Sequence, residues 1–120
     1  MVRALENADE RNAFYIRTHI GNQSLFLSGV FPQRITSRAE RRGFPDLSYF
    51  ESLGKANFRI ASDHKLAQRY NLARVFAALS EHFRATRLAL NDIAERLFSI
   101  GEVGHMLDAL LLAATRPPKT

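Results

Sequence analysis

The sequence predicts an all-α fold, a helical bundle of about five to six helices with one long helix near residues 64–99. Three observations carry that reading. Apolar residues recur at i, i+3 or i+4 through most of the chain. Proline and glycine punctuate the sequence between most of these segments. The one uniformly apolar run, Leu25 to Phe31, has no second run to pair with it as a strand, and a lone strand leaves its backbone groups unsatisfied. At 120 residues, 46% hydrophobic and 24% charged, the chain is sized for one core, so residues 1–116 read as a single helical domain with 117–120 as a frayed tail.

Taken in order, Val2, Leu5, Ala13, Ile16 and Ile20 share one face of a first helix, and Gly21 is its expected stop. Asn22, Gln23 and Ser24 offer cap chemistry for a short buried helix over 25–31. Pro32 is pre-set for a first turn, so a third helix runs from Pro32 to Arg42 and ends at Gly43. Asp46 caps the next, in which Leu47, Phe50, Gly54, Phe58 and Ala61 keep helical spacing. Tyr49, Ala56 and Ile60 lie off that face, which predicts a central helix, and Gly54 in its middle predicts close backbone packing. Ser62 and Asp63 are the expected cap of the longest helical signal, which reaches Phe98 without proline or glycine. Its first two turns, bearing Leu66, Ala67 and Tyr70, are out of phase with the turns from Leu72 onward, through a second neighbour or a bend near Asn71. After Gly101, Val103, Met106, Leu107, Leu110 and Ala114 define a last amphipathic helix.

The absence of cysteine removes disulfides, thiolate zinc sites, iron–sulfur clusters and thiol nucleophiles, and is compatible with a reducing, cytoplasmic location. The first ten residues lack the apolar core of a secretory signal, and the longest apolar run, Met106 to Ala114, is interrupted by Asp108 and too short to span a bilayer. No membrane partner and no cofactor are expected.

Charge is the more informative property. The formal balance is +5, nearly all bases being arginine, and the excess is internal. Residues 31–45 hold Arg34, Arg38, Arg41 and Arg42 against Glu40 alone. On a helix those positions, i, i+4, i+7 and i+8, form one stripe opposite Ile35 and Ala39. Four cations on two turns repel one another unless acidic neighbours or an anionic partner compensate them. The stripe is therefore a candidate surface for anions or nucleic acid, with Arg69, Arg74, Arg84 and Arg87 as candidate extensions. Against nucleic acid, no aromatic stacking groups are interleaved with these arginines, and Gln33 is the only adjacent base-reading side chain.

A second candidate is apolar. Leu72, Phe76, Leu79, Phe83, Leu90, Ile93 and Leu97 share one face of the long helix, which as one rod would span about 40 Å and project past a domain of this size. With nine phenylalanines, such a face reads as an interface for a protein partner or a homodimer, unless the other helices cover it.

Catalytic patterns are missing. No nucleophile elbow, phosphate loop, dinucleotide-binding glycine motif or HExxH occurs. Of His19, His64, His82 and His105, only His105 sits in a Glu-x-x-His pair, with Glu102, and Asp92-x-x-Glu95 supplies carboxylates without a second histidine. Ser28 reads as a hydroxyl bonded back to a helix carbonyl, and nothing orients Tyr49 and Glu51 as acid and base. No metal site is expected.

The strings Ser24 to Pro32, Leu47 to Ala56 and Val75 to Phe83 together resemble a family of small bacterial all-helical proteins to which no function is attached. The resemblance covers roughly residues 20–98, implies a helical fold and transfers no catalytic residue. Members of that family look longer on the N-terminal side than this chain. The expected function is a helical binding or interaction module for a protein partner or for itself, the alternative being nucleic-acid or anion binding through residues 32–42.

Overall fold

A computed structural model describes residues 2–100 and 102–115 of the chain, with side chains described for 8–100 and 105–115. It is all-α: helices α1 (Val2–Val30), α2 (Pro32–Arg42), α3 (Leu47–Asp63), α4 (Lys65–Arg69), α5 (Ala73–Glu81), α6 (Phe83–Phe98) and α7 (Glu102–Thr115) follow one another. None of them is long and apolar enough to cross a membrane. The side chains of Val2, Leu5 and Val103, and the tail 117–120, lie outside the described residues.

Helix α1 corrects two expectations at once. Gly21 does not stop it, and residues 25–31 are its last turns rather than a separate helix. Gly21 is buried where α1 crosses α3, and a Cβ there would lie 2.7 Å from the Phe58 ring. Its missing side chain serves packing, which outweighs its weak helix propensity. The buried stripe also differs from the expected one: Phe14, Gly21, Ser24 and Ser28 face inward, while Ala13 and Ile16 face solvent. Ser28 donates to the Ser24 carbonyl at 2.6 Å, satisfying a hydroxyl with no exposure of its own.

Helices α2 and α3 follow their sequence signals. Pro32 opens α2, and Gly43 closes it in the left-handed region at φ 68°, its N–H donating to the Ala39 carbonyl. Asp46 caps α3 by accepting from the Tyr49 N–H at 3.0 Å. Gly54, Phe58 and Ala61 are buried, but Tyr49, Ala56 and Ile60 are exposed, so α3 is covered on one side only.

The long helix near 64–99 is three helices. His64, not Ser62 or Asp63, caps α4, its Nδ1 accepting from the Leu66 N–H at 3.1 Å. The bend expected near Asn71 is a full break: Asn71 takes φ 58°, and the Leu72 N–H reaches back to the Ala67 carbonyl at 2.7 Å. A second break at His82, backbone φ −107° and ψ 28°, separates α5 from α6.

Two apolar clusters hold the helices. One joins Phe14, Phe58, Ala61, Leu66, Phe76 and Phe83, with Phe58 and Phe76 stacked at 6.0 Å between centroids. The other joins Leu27, Val30, Phe31, Ile35, Ala94 and Leu111. Phe14 and Leu27 place one cluster at each end of the packed part of α1. The second cluster, around Ile35 and Leu111, positions the candidate site.

Candidate anion-binding surface and apolar pocket

Helix α2 is anchored by its one buried residue, Ile35, and carries its arginines outward. Arg34 is engaged: its Nη2 donates to the Asp108 carboxylate on α7, and its guanidinium carbon lies 5.9 Å from the Phe31 ring centroid. Arg38, Arg41 and Arg42 are exposed and pair with no acid among the described residues. Arg41 and Arg42 occupy the last turn, where they complement the helix dipole. The expected stripe is thus one committed arginine followed by three uncommitted ones.

The candidate extensions do not join it. Arg84 and Arg87 both turn to Glu51 on α3, at 3.1 and 3.7 Å, and Arg87 and Glu51 are largely withdrawn from solvent. Arg69 and Arg74 sit on α4 and α5, which pack around the other apolar cluster. The α2 arginines therefore form a cluster of their own among these candidates.

Under α2 lies a pocket of about 270 Å³ lined mainly by apolar side chains, with Leu27, Ile35, Phe44, Phe50 and Leu111 among them and Arg34 and Arg38 as its charged groups. It joins the end of α1, the α2–α3 loop, the start of α3 and the end of α7. The sequence gives little sign of it because its walls come from positions far apart in the chain; the only local signal is the exposed Phe44 beside Pro45 in a loop. On the other side of Arg34, a second cavity of about 280 Å³ is bordered by Gln33, Asn91, Glu95 and Asp108.

The residues expected to form an apolar interface are not brought together on the surface. Phe76 and Phe83 are core residues, Leu72 and Leu79 pack against them, and Leu90 lies against Gly29 of α1. Only Ile93 and Leu97 are exposed, at 54% and 40%. The break at His82 divides the supposed single face between α5 and α6, and the chain itself covers most of it.

The remaining candidates have structural surroundings. His64 caps α4 and lies 5.2 Å from the Phe14 ring; His82 marks a break; His19 sits 3.5 Å from the Gln23 amide nitrogen; His105 is exposed. Asp92 pairs with Arg96 at 3.4 Å. The Glu102 side chain lies outside the described residues, and among those described no three histidine or acidic side chains converge as metal ligands. Tyr49 is exposed, and Glu51 serves the two arginines.

No protein-family model matches the chain, and neither a curated protein nor a solved structure does. A functional reading rests on the geometry alone.

Proposed function

We propose that the chain is a helical interaction module that binds an acidic surface of a partner protein through α2. The supporting observation is the set of three exposed arginines, Arg38, Arg41 and Arg42, which no acid of the chain pairs among the described residues. Like charges one turn apart destabilise a helix by a few tenths of a kcal/mol each, so an anionic partner relieves a cost already present. A second copy is a poor occupant. A twofold interface sets a patch against itself, which here opposes arginine to arginine. An acidic protein surface is favoured over nucleic acid because α2 presents no aromatic group between its arginines and a single adjacent amide, Gln33.

The test is fluorescence anisotropy with labelled poly-glutamate and a random-sequence DNA duplex of matched charge, over a salt series, with light scattering to report mass. Poly-glutamate is expected to bind, to weaken with salt, and to lose at least tenfold in affinity in the Arg38→Glu, Arg41→Glu double variant at unchanged helicity. Absence of poly-glutamate binding at low salt overturns the proposal. A strong preference for the duplex replaces it with nucleic-acid binding, and a salt-independent dimer moves the interface to the exposed Ile93 and Leu97.

A further inference from the structure

We propose that the pocket beneath α2 is a binding site for a short aliphatic carboxylate, with the tail on Leu27, Ile35, Phe50 and Leu111 and the carboxylate held by Arg38. The inference goes beyond the protein-partner reading, since Arg41 and Arg42 are no part of the pocket wall.

Volume and lining set the ligand's body. At about 270 Å³ the pocket lies just below the usual range of small-molecule clefts, and its surface is mostly hydrocarbon, contributed by four separate stretches of chain. Such clefts run from about 300 Å³ upward and take most of their binding energy from apolar contact. A short apolar tail suits that space.

Charge sets the ligand's head. Two cations reach the pocket, and they differ in what already holds them. Arg34 donates to Asp108 and lies over Phe31, so its charge is answered within the chain. Arg38, one turn later, has no acidic partner among the described residues. An uncommitted guanidinium beside an apolar wall presents a planar fork of N–H donors that matches a carboxylate bidentately. The Thr115 hydroxyl, also on the wall, donates to the Leu111 carbonyl and so leaves the head group to Arg38. An aliphatic alcohol would gain the tail contacts without the ion pair, and an aliphatic ammonium would meet repulsion.

Titration of the full chain with octanoate, octanol and octyltrimethylammonium, each below its aggregation concentration and followed by amide chemical shifts, tests this. Octanoate is expected to bind at least tenfold more tightly than octanol, with shifts centred on Leu27, Ile35, Phe50 and Leu111, and the ammonium least well. Arg38→Gln is expected to lower octanoate to the octanol level, while Arg41→Gln leaves octanoate affinity unchanged and weakens poly-glutamate. Equal affinity for octanoate and octanol, shifts elsewhere, or an Arg38→Gln protein that binds octanoate normally each overturn the assignment. Octanoate binding without poly-glutamate binding removes the protein-partner reading and leaves this one standing; the reverse pattern does the opposite.

Discussion

Gly54 sits where α3 meets α1 and α6, and it shows how a single residue sets the spacing of this bundle. A Cβ placed on it runs into the ring of Phe83, a side chain with no solvent exposure, and comes within 3.1 Å of the Ser24 Cβ. Intrinsic helix propensity favours alanine over glycine by about 1 kcal/mol. Overpacking a close-fitted core costs about 1–3 kcal/mol. Packing should win: Gly54→Ala is expected to lower the urea midpoint at unchanged slope, and a raised midpoint would show that the Phe83 ring has room to turn away. The pair formed by Glu51 and Arg87 is the polar counterpart of that fit. Each side chain is only 12–13% exposed, and the Arg87 Nε has no hydrogen-bond partner. Losing one member of such a pair strands the other away from water, so removing either side chain costs more stability than the intact pair contributes.

Elements ended by local chemistry were legible, and elements shaped by tertiary contact were not. Pro32, Gly43 and Asp46 act within a turn of themselves, and the structure uses them where their chemistry places them. Gly21 and His82 are the opposite cases. Gly21 looked like a stop because glycine is a poor helix former, yet α1 continues through it because Phe58 needs the space. His82 has no proline, glycine or phase jump to announce a break. The arginine stripe was legible because helical spacing alone defines it; the pocket was not, because four stretches of chain build it. Asn71 lies between these extremes. The phase change around it was visible, and its φ of 58° makes the break specific. A left-handed conformation costs an ordinary L-residue about 1–2 kcal/mol, which asparagine partly escapes through its short polar side chain. Asn71→Ala is accordingly expected to lose about 1 kcal/mol in thermal or urea unfolding while Asn71→Gly stays near neutral. Equal losses in both would mean that the asparagine side chain, not the backbone angle, holds the break.

At the scale of the molecule, the chain is elongated. Its Cα radius of gyration is 16.2 Å and its extents are 51 × 34 × 28 Å, against about 13–14 Å in radius for a compact domain of this length. The elongation follows from α1, which carries one apolar cluster near Phe14 and another near Leu27. The two clusters differ in construction. Around Phe58, the buried rings of Phe14, Phe58, Phe76 and Phe83 interlock, and α3 lies along both α1 and α5. Around Leu111, the described part of α7 reaches the core through that one buried side chain, half-buried Leu107 and Ala114, and an exposed ion pair from Asp108 to Arg34. Exposed ion pairs contribute about 0–1 kcal/mol, so α7 is held chiefly by its apolar contacts. Local opening begins where buried apolar contact is least. Native-state hydrogen exchange is therefore expected to find the amides of α7 and α2 opening at lower free energy than those of α3, α5 and the middle of α1. Leu111→Ala should deepen that difference, loosening α7 and α2 by about 2–4 kcal/mol while leaving the Phe58 end unchanged. Uniform protection along the chain, or a Leu111→Ala effect spread evenly over both ends, would show that α1 couples the two clusters into one cooperative unit. If the two ends do open separately, the cationic helix and the pocket beneath it belong to the end of the molecule that opens most readily, and a ligand bound there would show itself by raising the protection of α7 first.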